Sequence, residues 1–206
     1  MLHIVDHPLV HDVLLDLRDQ RTDAARFRDL AERMTLLLGA EALRDLPAAD
    51  AVVETPLGPA AGRRLRARVV FVPVLRAGLG MLPAMLRLVP AARVGYIGLQ
   101  RDEATALASQ YYTKLPEALD QSQVVLLDPM LATGGSAVAA LDLLSRAGAR
   151  AMRLVCIVAA QAGVDAVRKA FPDVAIYTPV VDPELNARKF IVPGLGDFGD
   201  RLYGTT

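Results

Sequence analysis

From residue 68 onward the chain alternates short β-branched apolar runs with amphipathic stretches: 68–74 then 79–88, 94–99, 124–127 then 136–147, 153–159 then 164–171, and 174–177. A strand that is followed by a helix and then by another strand returns parallel to itself, so the alternation predicts an α/β fold with a mainly parallel sheet flanked by helices. The runs 124–127 and 154–158 are apolar at every position, as expected of central strands covered on both faces. The N-terminal fifth differs. Over 10–19 and 24–38, Leu14, Leu17, Phe27, Leu30, Met34, Leu37 and Leu38 recur at three- and four-residue steps, which predicts an N-terminal helical segment with Gly39 and Pro47 as stops. The stretch 102–116 is polar and irregular, with Tyr111 beside Tyr112, and is expected to form a mobile hairpin or lid, or simply a solvent-exposed connection.

At 206 residues and 53% hydrophobic, the chain can bury one substantial core, and no linker, repeat or charge block divides it, so a single domain over 1–206 is expected. Twenty-three basic residues balance twenty-three acidic ones. That balance argues against a nucleic-acid or anionic-membrane partner, and any attraction for anions must be local. No run reaches the roughly eighteen apolar residues of a membrane span, and Asp6 arrives too early for a signal peptide, so a cytoplasmic location is expected. The lone Cys156 excludes an internal disulfide and reads as a buried core thiol.

The segment from Val124 to Ser136 carries the strongest chemical signal. An apolar strand ends in Asp128, and Pro129, Met130, Leu131, Ala132, Thr133, Gly134, Gly135 and Ser136 lead into a helix. At such a turn glycines expose backbone N–H groups, Thr133 and Ser136 add hydroxyls, and the helix dipole favours negative charge, which suits a phosphate. The lysine of the nucleotide-triphosphatase loop is missing. Asp128 cannot hold the phosphate itself; it suits a sugar hydroxyl or a magnesium shell. The competing reading is a glycine-rich turn with Ser136 as helix cap and Asp128 as a solvated acid.

Asp128 to Ser136 resembles the phosphoribosyl-diphosphate (PRPP) motif of the type I phosphoribosyltransferases, and the proline after the acid resembles their uracil-specific branch. Similar matches follow in order along the chain: His7-Pro8-Leu9-Val10, Pro73 to Met81, Arg101-Asp102-Glu103, and Ile191 to Asp200. The resemblance implies the type I fold with a small C-terminal base-binding hood, and transfer of a phosphoribosyl group from PRPP to uracil, giving UMP and diphosphate in pyrimidine salvage. It also implies Mg²⁺ as cofactor, a homodimer or larger assembly, and in some members a GTP effector. Arg76, at a strand end beside Ala77-Gly78, has the planar guanidinium that pairs with phosphate oxygens, and the resemblance makes Arg101 its companion on the diphosphate. Thr133 to Ser136 would take the 5′-phosphate and Asp128 the ribose. Ile191, Gly196 and Phe198 would contact uracil, with Asp197 on the PRPP side. Phe198 stands where bacterial members often carry alanine, so its side chain inherits no role. Many relatives carry a second acid where this chain has Pro129.

Other patterns in the sequence compete with this reading. Gly194 to Gly199 spells G-x-G-x-x-G, but the chain ends at Thr206, too soon for a dinucleotide-binding crossover unit; a backbone-exposing loop that reads a flat heterocycle by its edge is the better account. His3, His7 and His11 have metal-ligand spacing on a helix, but Pro8 breaks any helix through all three, and packing roles are expected. Arg63, Arg64, Arg66 and Arg68 read as a solvated approach to a strand, available for subunit or effector contacts. Asp200 is expected to cap or to pair with Arg201. The readings left beside uracil transfer are a nucleotide-sensing regulator on the same fold, which would need a basic RNA face, and a transferase for a purine or orotate.

Overall fold

The structure is a computed structural model and describes residues 1–101 and 108–205. It opens with β1 (Leu2–Ile4), α1 (Pro8–Arg18) and α2 (Ala24–Ala42). Pro8 starts α1 because its missing N–H costs nothing at a first turn, and His7 caps it, Nδ1 accepting the Leu9 N–H at 3.1 Å. An antiparallel hairpin follows, β2 (Ala48–Thr55) with β3 (Gly58–Leu65). Next come β4 (Arg68–Leu75), α3 (Leu82–Leu88), β5 (Arg93–Val94), β6 (Tyr96–Arg101) and β7 (Ala108–Lys114). The crossover units are β8 (Ser122–Leu127), β9 (Met130–Leu131), α4 (Gly135–Arg146), β10 (Ala151–Val155), β11 (Val158–Ala160), α5 (Gln161–Ala170), β12 (Ala175–Thr178) and β13 (Val181–Asp182). The chain closes with β14 (Glu184–Leu185), β15 (Ile191–Val192) and α6 (Phe198–Tyr203).

The main sheet runs β1-β12-β10-β8-β4-β6-β7, with β5 also on β4, and every pair is parallel except β6 with β7. Alternate residues of the central strands feed two cores. Phe71, Val125, Leu127 and Val155 pack with α1, α2, α3 and α6, while Val70, Val72, Val124, Leu126 and Leu154 pack with α4 and α5. This two-sided burial is why 124–127 is apolar throughout. Cys156 is wholly buried with its thiol 3.7 Å from the Tyr177 carbonyl, and burial pushes the thiol up to about 12.

The connection out of β4 leads to β6 on one side, whereas β8 leads to β10 and β12 on the other. The carboxyl ends of β4 and β8 therefore flank the point where the winding reverses, which is where open α/β sheets leave a crevice.

Several expectations need correction. Gly39 does not stop α2 but lies inside it, where a Cβ would come within 2.6 Å of Met85 Sδ; it lets α2 lie close on α3. The expected strand 153–159 is two strands. β10 ends at Val155, and β11 joins β9 and β13 in a second, three-stranded parallel sheet, because Ile157 and Val158 donate to the Pro129 carbonyl at 2.9 and 3.0 Å. The hairpin of β2 and β3 had no counterpart in the sequence reading, and it draws Arg63 and Arg64 into a strand. In 102–116, the part from Ala108 to Lys114 is an antiparallel strand against β6, the returning arm of a hairpin rather than an irregular connection. A register shift at Gly98/Leu99 sets Tyr112 opposite Gly98, with Tyr111 in the bulge. Residues 102–107 lie outside the described residues.

Candidate active site

The Leu75–Arg76 peptide bond at the end of β4 is cis, and a short 3-10 turn, Ala77–Gly80, follows it. That turn lies against β8: a Cβ on Gly78 would stand 2.4 Å from the Leu127 carbonyl oxygen, so only glycine fits. The Arg76 side chain is exposed and forms no ion pair among the described residues, while its carbonyl accepts from the Tyr203 hydroxyl at 3.2 Å.

On the neighbouring strand, Asp128 follows Leu127, and the Asp128 N–H donates to the Val155 carbonyl at 3.2 Å. Burial pushes the Asp128 carboxyl up to about 7, opposed by a backbone hydrogen bond from Met130. β9 then leads into the small-residue loop. Gly134 has φ +81° and stands at the N-cap of α4, where no side chain caps the helix. The competing reading of Ser136 as the cap does not hold: Ser136 lies in the first turn of α4, and Gly134, Gly135 and Ser136 line the cavity at the helix N-terminus. The nearest substitute is a long 3.5 Å approach of the Gly135 N–H to Thr133 Oγ1.

Arg76, Asp128, Met130, Leu131, Ala132, Thr133, Gly134, Gly135 and Ser136 line one cavity of about 180 Å³, joined by Leu99 from β6. Its polar lining combines the Arg76 guanidinium, backbone amides at a helix N-terminus and two hydroxyls, a donor set for an oxyanion. Pro129, expected among these residues, lies behind the wall, buried, with its carbonyl engaged by β11. The Arg101 side chain and the Asp102-Glu103 match lie outside the described residues.

A second cavity of about 370 Å³ shares Ala77, Met130, Ala132 and Ser136 with the first and is otherwise walled by 188–191 and 196–199. Ile191, Gly196, Asp197 and Phe198 all border it, as the sequence led one to expect. Asp197 also caps α6 by accepting the Asp200 N–H at 2.9 Å. The Phe198 ring packs inward on Phe27, with centroids 5.2 Å apart at 63°, so its side chain is spent on the core. Arg188, Lys189 and Phe190 were not anticipated at this cavity. Their signal was Asn186, whose Oδ1 accepts the N–H groups of Arg188 and Phe190 at 2.9 and 3.0 Å and so shapes the turn between β14 and β15.

Other expectations resolve away from the site. Asp200 accepts from the Thr205 hydroxyl at 2.7 Å rather than pairing with Arg201, whose guanidinium is held by main-chain carbonyls. The three histidines have separate partners: His7 caps α1, His3 stacks on Tyr177 at 4.6 Å, and His11 Nε2 lies 2.7 Å from Asp6. Among the described residues no helix is long and apolar enough to cross a membrane.

Comparison with known proteins agrees with this geometry. A family model described as uracil phosphoribosyltransferase matches residues 4–205. A uracil phosphoribosyltransferase from Dictyoglomus turgidum is 50% identical over 206 residues, covering 100% of both chains; one from Streptococcus pneumoniae is 47% identical over 205 residues, 99% of this chain and 98% of that one. A solved protein from Aquifex aeolicus superposes with a TM-score of 0.95 at 38% identity, covering 100% of this chain and 99% of the other. An adenine phosphoribosyltransferase from Trypanosoma brucei shares the fold at a TM-score of 0.59 and 14% identity over 93% of this chain and 85% of that one. With a type I fold, a donor-lined oxyanion cradle at the sheet's switch point and these full-length matches, the chain belongs to the uracil phosphoribosyltransferase family.

Proposed function

We propose that the chain transfers the 5-phosphoribosyl group of PRPP to a ring nitrogen of uracil, giving UMP and diphosphate. The observation that carries this reading is the adjacency of the two cavities: an oxyanion cradle shares four residues with a second pocket large enough for a flat base. In this reading Thr133, Gly134, Gly135 and Ser136 hold the 5′-phosphate, Asp128 takes the ribose hydroxyls, and Arg76 with Arg101 holds the diphosphate. Ile191, Gly196, Asp197 and Phe198 border the base, where amides and carbonyls of the loop can match the donors and acceptors of uracil.

Little covalent chemistry falls to the protein. Departure of diphosphate leaves a ribose with oxocarbenium character, so catalysis rests on alignment and on charges already in place. Once ionised, the Asp128 carboxylate beside the sugar would oppose the developing positive charge, and Arg76 would oppose the negative charge gathering on the leaving group. No nucleophilic side chain is required.

The donor chemistry fits Mg²⁺ carried mostly by substrate oxygens and water. Asp128 and Asp197 border the cavities, and no group of three or more His, Cys, Asp or Glu side chains gathers among the described residues. When bound, the ion would neutralise diphosphate charge; Asp128 and Asp197 are the carboxylates that would orient its water shell, with no direct protein ligand assigned. Assembly as a homodimer or larger is supported by the exposed β2–β3 hairpin, which presents Val52, Val53 and Leu57 to solvent, and family membership supports a GTP effector.

Two variants test the assignment of roles. Arg76→Ala should raise the KM for PRPP by an order of magnitude or more, and Asp128→Asn should keep the fold while kcat falls on the order of 10²-fold. Near-wild-type steady-state kinetics in both variants would refute it.

A further inference from the structure

We propose that Arg18 and Arg201 are positioning residues for base recognition, which together fasten the backbone of the 193–197 loop to the C-terminal end of α1. The proposal rests on the reading of the second cavity as the base site.

The anchoring is dense and comes from outside the cavity. Asp182, in β13, is buried, and both its oxygens are engaged by Arg18, with N–O distances of 2.9 and 2.8 Å. Asp182 also accepts the Gly194 N–H at 2.9 Å, while Arg18 donates to the Gly194 carbonyl at 3.0 Å. Both main-chain groups of Gly194 are thus fixed by one bidentate ion pair. On the following residue, Arg201 donates to the Leu195 carbonyl at 2.9 Å. The same guanidinium donates to the carbonyls of Leu17 and Asp19, the latter at 2.6 Å, and lies 4.4 Å from the centroid of the Phe27 ring. Both arginines therefore tie the loop to the last turn of α1.

The geometry has a functional meaning because main-chain groups can read a base edge only if their positions are fixed. Gly196 and Asp197, which border the cavity, directly follow the two clamped residues. Gly194 and Gly196 have positive φ values of 56° and 82°, conformations open to glycine that the loop must hold without side chains of its own. Rigidity has to come from elsewhere, and Arg18, Asp182 and Arg201 supply it. None of the three borders either cavity, so they act through the loop rather than on the substrate.

The test is a kinetic split. Arg18→Lys keeps the charge but loses the fork that engages both Asp182 oxygens, and Asp182→Asn keeps the shape but weakens the pair. Each should raise the KM for uracil by roughly tenfold, with the KM for PRPP and kcat within about twofold, and should speed amide hydrogen exchange in 194–197. Arg153→Lys, which loosens the Arg153 contact with Asp45 away from both cavities, controls for general destabilisation and should leave the uracil KM unchanged. Equal changes in both KM values, or an unchanged uracil KM in both variants, would overturn the clamp. Exchange of wild-type protein with and without UMP separates the two levels. Protection of 191–198 by UMP together with a wild-type uracil KM in Arg18→Lys removes only the clamp, whereas no protection removes the base-site reading and the clamp with it.

Discussion

Asp128 is an acid whose burial makes it a base of near-neutral strength. Its unfolded value is near 4 and its folded value about 7, so the folded state holds the proton more tightly. The stability this carboxyl contributes is therefore full below about pH 4 and is lost as pH rises through about 7. Two outcomes follow. A carbon-detected NMR titration of the ligand-free protein should find one aspartate titrating near 7. Asp128→Asn should raise the melting temperature of the ligand-free protein at pH 8, where the buried carboxylate is ionised, and the gain should vanish near pH 4. At this scale the sequence was readable where chemistry depends on residue type: an acid at a strand end, a guanidinium beside glycines, hydroxyls in a small-residue loop. It was silent on Arg18 and Asp182, because 164 residues separate partners that only the folded chain brings together.

The phosphate loop is shaped by the helix behind it as much as by its own glycines. A Cβ on Gly163, in α5, would stand 2.6 Å from the Leu131 carbonyl oxygen and 2.7 Å from that of Ala132. Gly163→Ala should therefore push residues 131–134 toward the cavity and raise the KM for PRPP several-fold at modest cost in stability, measurable by steady-state kinetics beside thermal unfolding. Crossover elements were legible because hydrophobic periodicity reports burial directly, as in β8 and α4. The failures share a cause. Gly39 looked like a helix stop because propensity is local, whereas the close approach of α3 that makes glycine useful there is tertiary. The β2–β3 hairpin gave no alternating pattern because it packs neither face on the core.

The whole molecule carries no net charge, yet its proposed substrate is strongly anionic. The structure resolves this by concentrating donors where β4 and β8 end: Arg76, the uncapped amides of α4 and the hydroxyls of Thr133 and Ser136. A ligand gripped this way stabilises the folded state by mass action. PRPP with Mg²⁺ at one hundred times its Kd should add about 2.7 kcal/mol, a rise in melting temperature of about 5–10 °C that scanning fluorimetry would detect. The alternative of a purine or orotate transferase turns on the second cavity, whose sequence-predicted residues all lie at its border. The most direct measurement is to incubate the protein with PRPP and Mg²⁺ and, in parallel, uracil, orotate, hypoxanthine or adenine, and to separate the nucleotide products. The account predicts UMP with uracil and no comparable product from the other three; absence of UMP, or a faster yield from another base, would contradict it.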